Sequence, residues 1–146
     1  AYEHKVKNMD VEKHLAPNLP KIMVDYFQMQ QVFMNIIINA EYFMTEAHGR
    51  GTLTITTKKQ NDTVKISIAD DGPGVPQENL NRIFDPFFTT KEPGKGTGLG
   101  LSICRSIVTE HGGQIYVSSQ LGKGTTIFVD LPINSHEHTC ERHETG

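Results

Sequence analysis

Apolar residues recur along this chain with two different periods, and the changes of period divide it into elements. Between residues 29 and 47 they stand at Met29, Val32, Phe33, Ile36, Ile37, Ala40, Phe43, Met44 and Ala47, the three-to-four spacing of a helix with one buried face. Asp25 precedes this stripe and Gln28 follows three residues later, the pattern of a capping-box start. His48-Gly49-Arg50-Gly51 ends it. The period then falls to two. Residues 53–57, and Val64, Ile66 and Ile68 alternating with Lys65, Ser67 and Ala69, flank a polar Asn61-Asp62 turn and predict a hairpin.

A short helix is expected over residues 77–84. A second amphipathic helix follows, with Leu101, Cys104, Ile107, Val108 and His111 on one face and Gly112-Gly113 as its stop. A last hairpin, 114–118 with 125–131, closes around Leu121-Gly122-Lys123-Gly124. Residues 1–24 read as short extended pieces at Val6, Met9 and Val11 and at 22–24, broken by Pro17 and Pro20 and suited to the edge of a sheet. Strands and helices alternate by hairpins rather than by strict βαβ units. The fold class is therefore α+β, a mixed sheet with helices on one face, in one domain over residues 1–133. The polar, aperiodic stretch 134–146 is expected to be a loose tail.

A length of 146 residues suits one ordinary domain with its own core. The net charge of −3, with no long run of Lys or Arg, argues against nucleic acid as the main ligand. No apolar run reaches the roughly 18 to 20 residues that span a bilayer, and the first ten residues lack the apolar stretch of a signal peptide. The segment is expected to be soluble, without membrane insertion, whatever a longer parent protein carries. Cys104 sits among apolar residues and reads as a small buried hydrophobe, far in sequence from Cys140. Without a disulfide framework, the chain suits a reducing, cytoplasmic compartment.

Four short segments carry chemistry. Asn35 and Asn39 lie four apart, one above the other at the border of the apolar stripe. An asparagine carbonyl there can ligate Mg²⁺, a hard cation that prefers oxygen and bridges phosphates; the plain alternative is a helix-border amide bonded to backbone. Asp70-Asp71-Gly72-Pro73-Gly74 ends an apolar strand, which presents a partly buried carboxylate beside glycines that permit close approach. A carboxylate is acceptor-only and suits an exocyclic amine, with ring nitrogens left to water or to a hydroxyl such as Thr125. For Asp71 a turn-capping role is equally good. The run Gly94-Lys95-Gly96-Thr97-Gly98-Leu99-Gly100 leads into a helix, where free N–H groups and the positive helix end favour an anion. Its spacing matches neither the dinucleotide fingerprint nor a Walker A loop. Ile83-Phe84-Asp85-Pro86-Phe87-Phe88-Thr89-Thr90-Lys91 places three phenylalanines in a loop, a pattern for a lid, a docking surface or a plug of the core.

Taken in order, QVFMNIIINA, DDGPGVP, IFDPFFTTK and GKGTGLGLSI resemble the N, G1, F and G2 boxes of the sensor histidine kinases of two-component systems. The likeness covers roughly residues 5–132, and four boxes in order are far more specific than any one. It implies a two-layer Bergerat sandwich that binds ATP, with ADP as product. It also implies Mg²⁺ on Asn39, Asn35 supporting phosphates or metal, and Asp70 on the adenine amine. By the same resemblance Gly72, Gly74 and Val75 shape the adenine pocket, Phe43 covers the base and Lys91 reaches phosphate. Gly96, Thr97, Gly98, Leu99, Gly100 and Leu101 form the phosphate lid, and Arg105 matches a position that contacts the γ-phosphate in some relatives. The catalytic set so implied is Asn39, Lys91 and Arg105. Tyr42 stands where relatives often carry a basic residue.

The resemblance also implies what this chain needs from elsewhere. Sensor kinases phosphorylate a histidine on a separate dimerisation domain, in an H-E or H-D motif on a long helix, and pass the group to a response regulator aspartate. None of the seven histidines here fits that motif. The expected entity is a monomeric catalytic domain that donates the γ-phosphoryl of ATP to another domain. Two rivals share the fold: a gyrase-like ATPase, whose catalytic Glu would stand where Asn35 is, and an anti-sigma-factor type of serine kinase.

Overall fold

Five runs of alternating side chains form strands β1 (Met9–Leu15), β2 (Gly51–Gln60), β3 (Thr63–Asp70), β4 (Gln114–Gln120) and β5 (Gly124–Pro132), in a computed structural model that describes residues 9–89 and 100–133. They make one sheet in the order β1-β2-β3-β5-β4. Only β1 and β2 pair in parallel; the other neighbours are antiparallel. The mixed character therefore comes from a single crossover that the hairpin reading leaves out. Helix α1 (Tyr26–His48) makes it: its 23 residues run about 35 Å at 1.5 Å each, enough to return the chain to the same end of the sheet.

Asp25 caps α1 as expected, its Oδ1 accepting from the Gln28 N–H at 2.9 Å. The reciprocal half of the box is replaced: the Asp25 N–H donates to His111 Nε2 at 3.0 Å, and His111 Nδ1 donates to the Ile107 carbonyl at 2.8 Å. That wiring requires the neutral imidazole with its hydrogen on Nδ1, so His111 is a bridge between helix ends rather than a cationic cap. Gly49 ends α1 at φ 80°, a conformation that costs a side chain and suits glycine.

The helix expected over 77–84 is shorter. Only α2 (Gln77–Leu80) is helical, without a side-chain cap. The N–H groups of Arg82 and Asp85 then reach back three residues, to Asn79 and Arg82, which tightens the chain into successive turns. Residues 22–24 form no strand; Ile22 and Val24 pack on the core from outside the sheet.

The register puts Leu53 and Ile55, Val64 to Ile68 at every second position, Ile127 to Leu131 likewise, and Ile115 and Val117 on one face. Helices α1 and α3 (Gly100–Glu110) cover that face. Met29, Val32, Ile36, Ala40 and Met44 of α1 and Cys104, Ile107 and Val108 of α3 are buried against it. Each of the Val, Ile and Met side chains among them contributes about 1.5–3 kcal/mol on burial. The opposite face carries Lys65, Tyr116, Phe128 and Asp130, joined by a 3.1 Å ion pair and by the lysine lying over both rings.

Candidate functional site

Between α1, the last turn of β3 and the start of α3 the layers part, leaving a cavity of about 410 Å³. The sheet supplies its apolar floor, Ile68 and Ile127, and above them in the same two strands Asp70 and Thr125, which face each other in register. Helix α1 supplies Asn35, Asn39 and Phe43, the loop after β3 supplies Pro73, Gly74 and Val75, and α3 supplies Gly100 and Leu101.

The two neighbouring aspartates divide their work. Asp71 turns outward, its Oδ1 accepting from the Thr52 N–H at 3.1 Å, while its carbonyl accepts from His48 Nε2 at 3.0 Å; it ties the end of β3 to β2 and α1 rather than capping its own turn, where the local bond to the Gly72 N–H is made by Asp70. Asp70 turns inward. Its Oδ1 accepts from the Gly72 N–H at 2.9 Å and the Thr125 N–H at 3.3 Å, and Oδ2 takes no donor among the described residues. Burial raises the Asp70 carboxyl above its ordinary value, the Gly72 and Thr125 N–H groups draw it partly back, and the Asp71 charge pushes it up again. The result is a fixed carboxylate with one oxygen left for a ligand.

The glycines around Asp70 serve the protein as much as a ligand. Gly74, at φ 83°, lies so close to the Gln120 carbonyl that a Cβ there would collide with it. Gly72 is buried, and a Cβ on it would stand 3.1 Å from Asp70 Oδ1. The β4–β5 hairpin holds this loop from behind, the Gly122 N–H donating to the Pro73 carbonyl at 2.8 Å.

The asparagine pair also divides. Asn35 Nδ2 donates to the Gly100 carbonyl at 3.3 Å, tying α1 to the first residue of α3. Asn39 lines the cavity with no side-chain partner among the described residues. Cys104 belongs to the packing. Its thiol donates to the Val32 carbonyl, and burial, against the Asn35 amide, pushes it up to about 12.

The three loop phenylalanines part ways: Phe84 is 8% exposed in the core, Phe87 is 72% exposed, and Phe88 lines the cavity beneath the Arg82 guanidinium. Arg105 does not line this cavity. It opens onto a second concavity with Thr109, Gly113 and Tyr116, because its place on α3 faces the β4 side. Lys91, Gly96, Thr97, Gly98 and Leu99 lie outside the described residues.

Sequence reasoning missed Ser119. Its Oγ stands 2.7 Å from the Val75 N–H and 2.9 Å from both the Gly124 carbonyl and Thr125 Oγ1, behind the inward aspartate. Its signal was present only as phase: Ser119 keeps step with Ile115 and Val117, which places it on the helix-covered face of β4.

The profile of the histidine kinase-, DNA gyrase B- and HSP90-like ATPases matches residues 24–135. This chain belongs to that family. It is 43% identical over 117 residues to the sensor histidine kinase ZraS of Escherichia coli, an alignment covering 80% of this chain and 24% of that protein. The catalytic domain of the histidine kinase ThkA, in a nucleotide-free form, superposes with a TM-score of 0.77 at 33% identity, over 90% of this chain and 86% of that one. ThkA in complex with the response regulator protein TrrA gives 0.74 at 30% identity, over 92% of this chain and 38% of that one. The chain thus spans about a quarter of ZraS and most of the ThkA catalytic domain. Among the described residues no helix is long and apolar enough to cross a membrane.

Proposed function

We propose that this domain binds Mg-ATP and donates its γ-phosphoryl to a histidine on a separate dimerisation domain of the same parent protein, for onward transfer to a response regulator aspartate. One observation carries the reading: Asp70 is the sole ionisable side chain among the described residues that line the cavity. Its free oxygen suits an exocyclic amine, and among the described residues no second carboxylate or imidazole lines the cavity to activate water. A pocket with a purine anchor and no general base is suited to hand its phosphoryl to a nucleophile brought by a partner. The gyrase-like alternative needs a base where Asn35 stands, and Asn35 already donates to Gly100.

In this reading Ile68 and Ile127 support the base, Phe43 covers it, and Gly72, Gly74 and Val75 shape its edge. Asn39 is the metal ligand: among the described residues its carbonyl oxygen has no competing partner, and those residues hold no cluster of three His, Cys, Asp or Glu side chains. A metal here is held mainly by phosphate and water, as Mg²⁺ prefers, and when bound it neutralises charge on the phosphates. Gly100 and Leu101, with Lys91, Gly96, Thr97, Gly98 and Leu99, complete the phosphate end. Arg105 is left out, since it faces the second concavity. The domain acts as a monomer in the cytoplasm.

Incubation with radiolabelled Mg-ATP tests the proposal. The chain alone should bind nucleotide and stay unlabelled, and adding the dimerisation domain should place an acid-labile label on that partner's histidine. A stable phosphohistidine on this chain, or steady release of phosphate without transfer, overturns it.

A further inference from the structure

We infer that Ser119 is a positioning residue that fixes the Thr125 hydroxyl as a hydrogen-bond acceptor, so that the pocket selects a 6-amino purine over a 6-oxo purine. The inference rests on the nucleotide-binding reading above and adds to it the device that sets base selectivity.

A serine hydroxyl has one hydrogen and two lone pairs. Three groups compete for those of Ser119: the Val75 N–H at 2.7 Å, the Gly124 carbonyl at 2.9 Å and Thr125 Oγ1 at 2.9 Å. The Val75 N–H only donates and takes one lone pair. The Gly124 carbonyl only accepts and takes the hydrogen. One lone pair remains, so the hydrogen shared with Thr125 comes from Thr125. The opposite sense leaves the Gly124 carbonyl facing a lone pair at bonding distance, which is repulsive.

With its hydrogen committed backward, Thr125 Oγ1 offers only lone pairs to the cavity that Thr125 lines. Three nearby backbone donors are committed as well. Those of Gly72 and Thr125 go to Asp70 Oδ1, and that of Val75 goes to Ser119. Asp70 Oδ2 is itself an acceptor. The side chains of Asp70 and Thr125 therefore present acceptors only to this end of the pocket. An amine supplies the hydrogens that they lack, whereas a keto oxygen meets lone pairs and loses its own hydration.

Calorimetric titration with adenosine diphosphate and inosine diphosphate, both with Mg²⁺, tests the assignment. The protein should prefer the adenosine nucleotide. Ser119→Ala releases the Thr125 hydrogen toward the cavity and should lower the adenosine-to-inosine affinity ratio by about tenfold, the effect of one hydrogen bond. Ser119→Thr restores the hydroxyl and should restore the ratio. A ratio unchanged in Ser119→Ala, with both affinities falling together, makes the serine merely structural and overturns the inference. Should that variant fail to fold, Thr125→Val removes the acceptor directly: a lowered ratio supports the inference and an unchanged one overturns it. If the unaltered protein binds neither nucleotide, the nucleotide reading falls and the inference with it. Adenosine binding with a ratio indifferent to both substitutions overturns the inference alone.

Discussion

The two ends of the cavity are built by different means. At the Asp70 end the polar groups belong to a sheet row, Asp70 on β3, Thr125 on β5 and Ser119 on β4, directly opposite one another in the ladder. Backbone N–H groups and a turn clamp them. At the Asn39 end the groups sit on two helices, joined by the 3.3 Å bond from Asn35 to Gly100, and among the described residues Asn39 has no side-chain partner. Recognition of a flat heterocycle requires donors and acceptors fixed to a fraction of an ångström, which a sheet provides. Phosphates carry charge that acts over distance, and helix termini with adjustable side chains suffice.

The sharpest break of this contrast is a methyl group placed at each end. Gly74 sits at φ 83° against the Gln120 carbonyl, so Gly74→Ala combines backbone strain with a collision that only movement of the hairpin relieves. A loss of about 2–4 kcal/mol of stability is expected, together with loss of nucleotide binding. Gly100 has nothing within 4 Å of an added Cβ. Gly100→Ala should be neutral or stabilise by up to about 1 kcal/mol, since alanine favours the helix and restricts the unfolded chain. Chemical denaturation of the two variants checks both values, and equal losses would erase the distinction.

That contrast also marks what the sequence made legible. The α1 stripe, its Asp25 cap and its Gly49 stop could be read because helix signals lie within a few residues of one another. Asp70 could be read because an apolar strand delivers it to a glycine turn. Ser119 could not, because the Val75 N–H lies 44 residues away in a loop and only the β4–β5 register sets Thr125 opposite it. The same limit hid the His111 bridge, which closes 86 residues of chain. The crossover of β1 onto β2 was missed because a helix between two strands does not show whether the second pairs with the first. The short turn at 81–84 was read as helix because i→i+3 and i→i+4 bonds favour similar sequences.

Next in size is Asp70→Asn. The amide keeps an oxygen for Gly72 and Thr125 but replaces the carboxylate beside the ligand, and adenosine diphosphate affinity should fall by about 1.5–3 kcal/mol, roughly ten- to hundredfold. The pH dependence has a definite sign. Because the folded carboxyl is raised above its unfolded value, protonated Asp70 stabilises the fold at low pH, and that contribution disappears as pH climbs through the raised value. Nucleotide binding runs oppositely, since the amine seeks the ionised form: affinity should weaken as pH falls through the same raised value, above the range of an ordinary carboxylate. Asp70→Asn should flatten both dependences, and titrations from neutral to acid pH on the two proteins read them. An affinity that falls with acid equally in both would move the sensitive group away from Asp70.

The smallest effect is expected farthest from the sheet. His111 joins the end of α3 to the start of α1 through two hydrogen bonds, to the Asp25 N–H and the Ile107 carbonyl, and neither touches the cavity. His111→Ala should cost about 1 kcal/mol or a little more of stability, the net worth of such bonds at a partly exposed site. If the helices merely carry the phosphate end while the sheet sets base choice, thermal denaturation should register the loss and the adenosine-to-inosine ratio should not move. A shift of that ratio in His111→Ala would mean that helix packing reaches the base as well, and the two ends would have to be treated as one rigid unit.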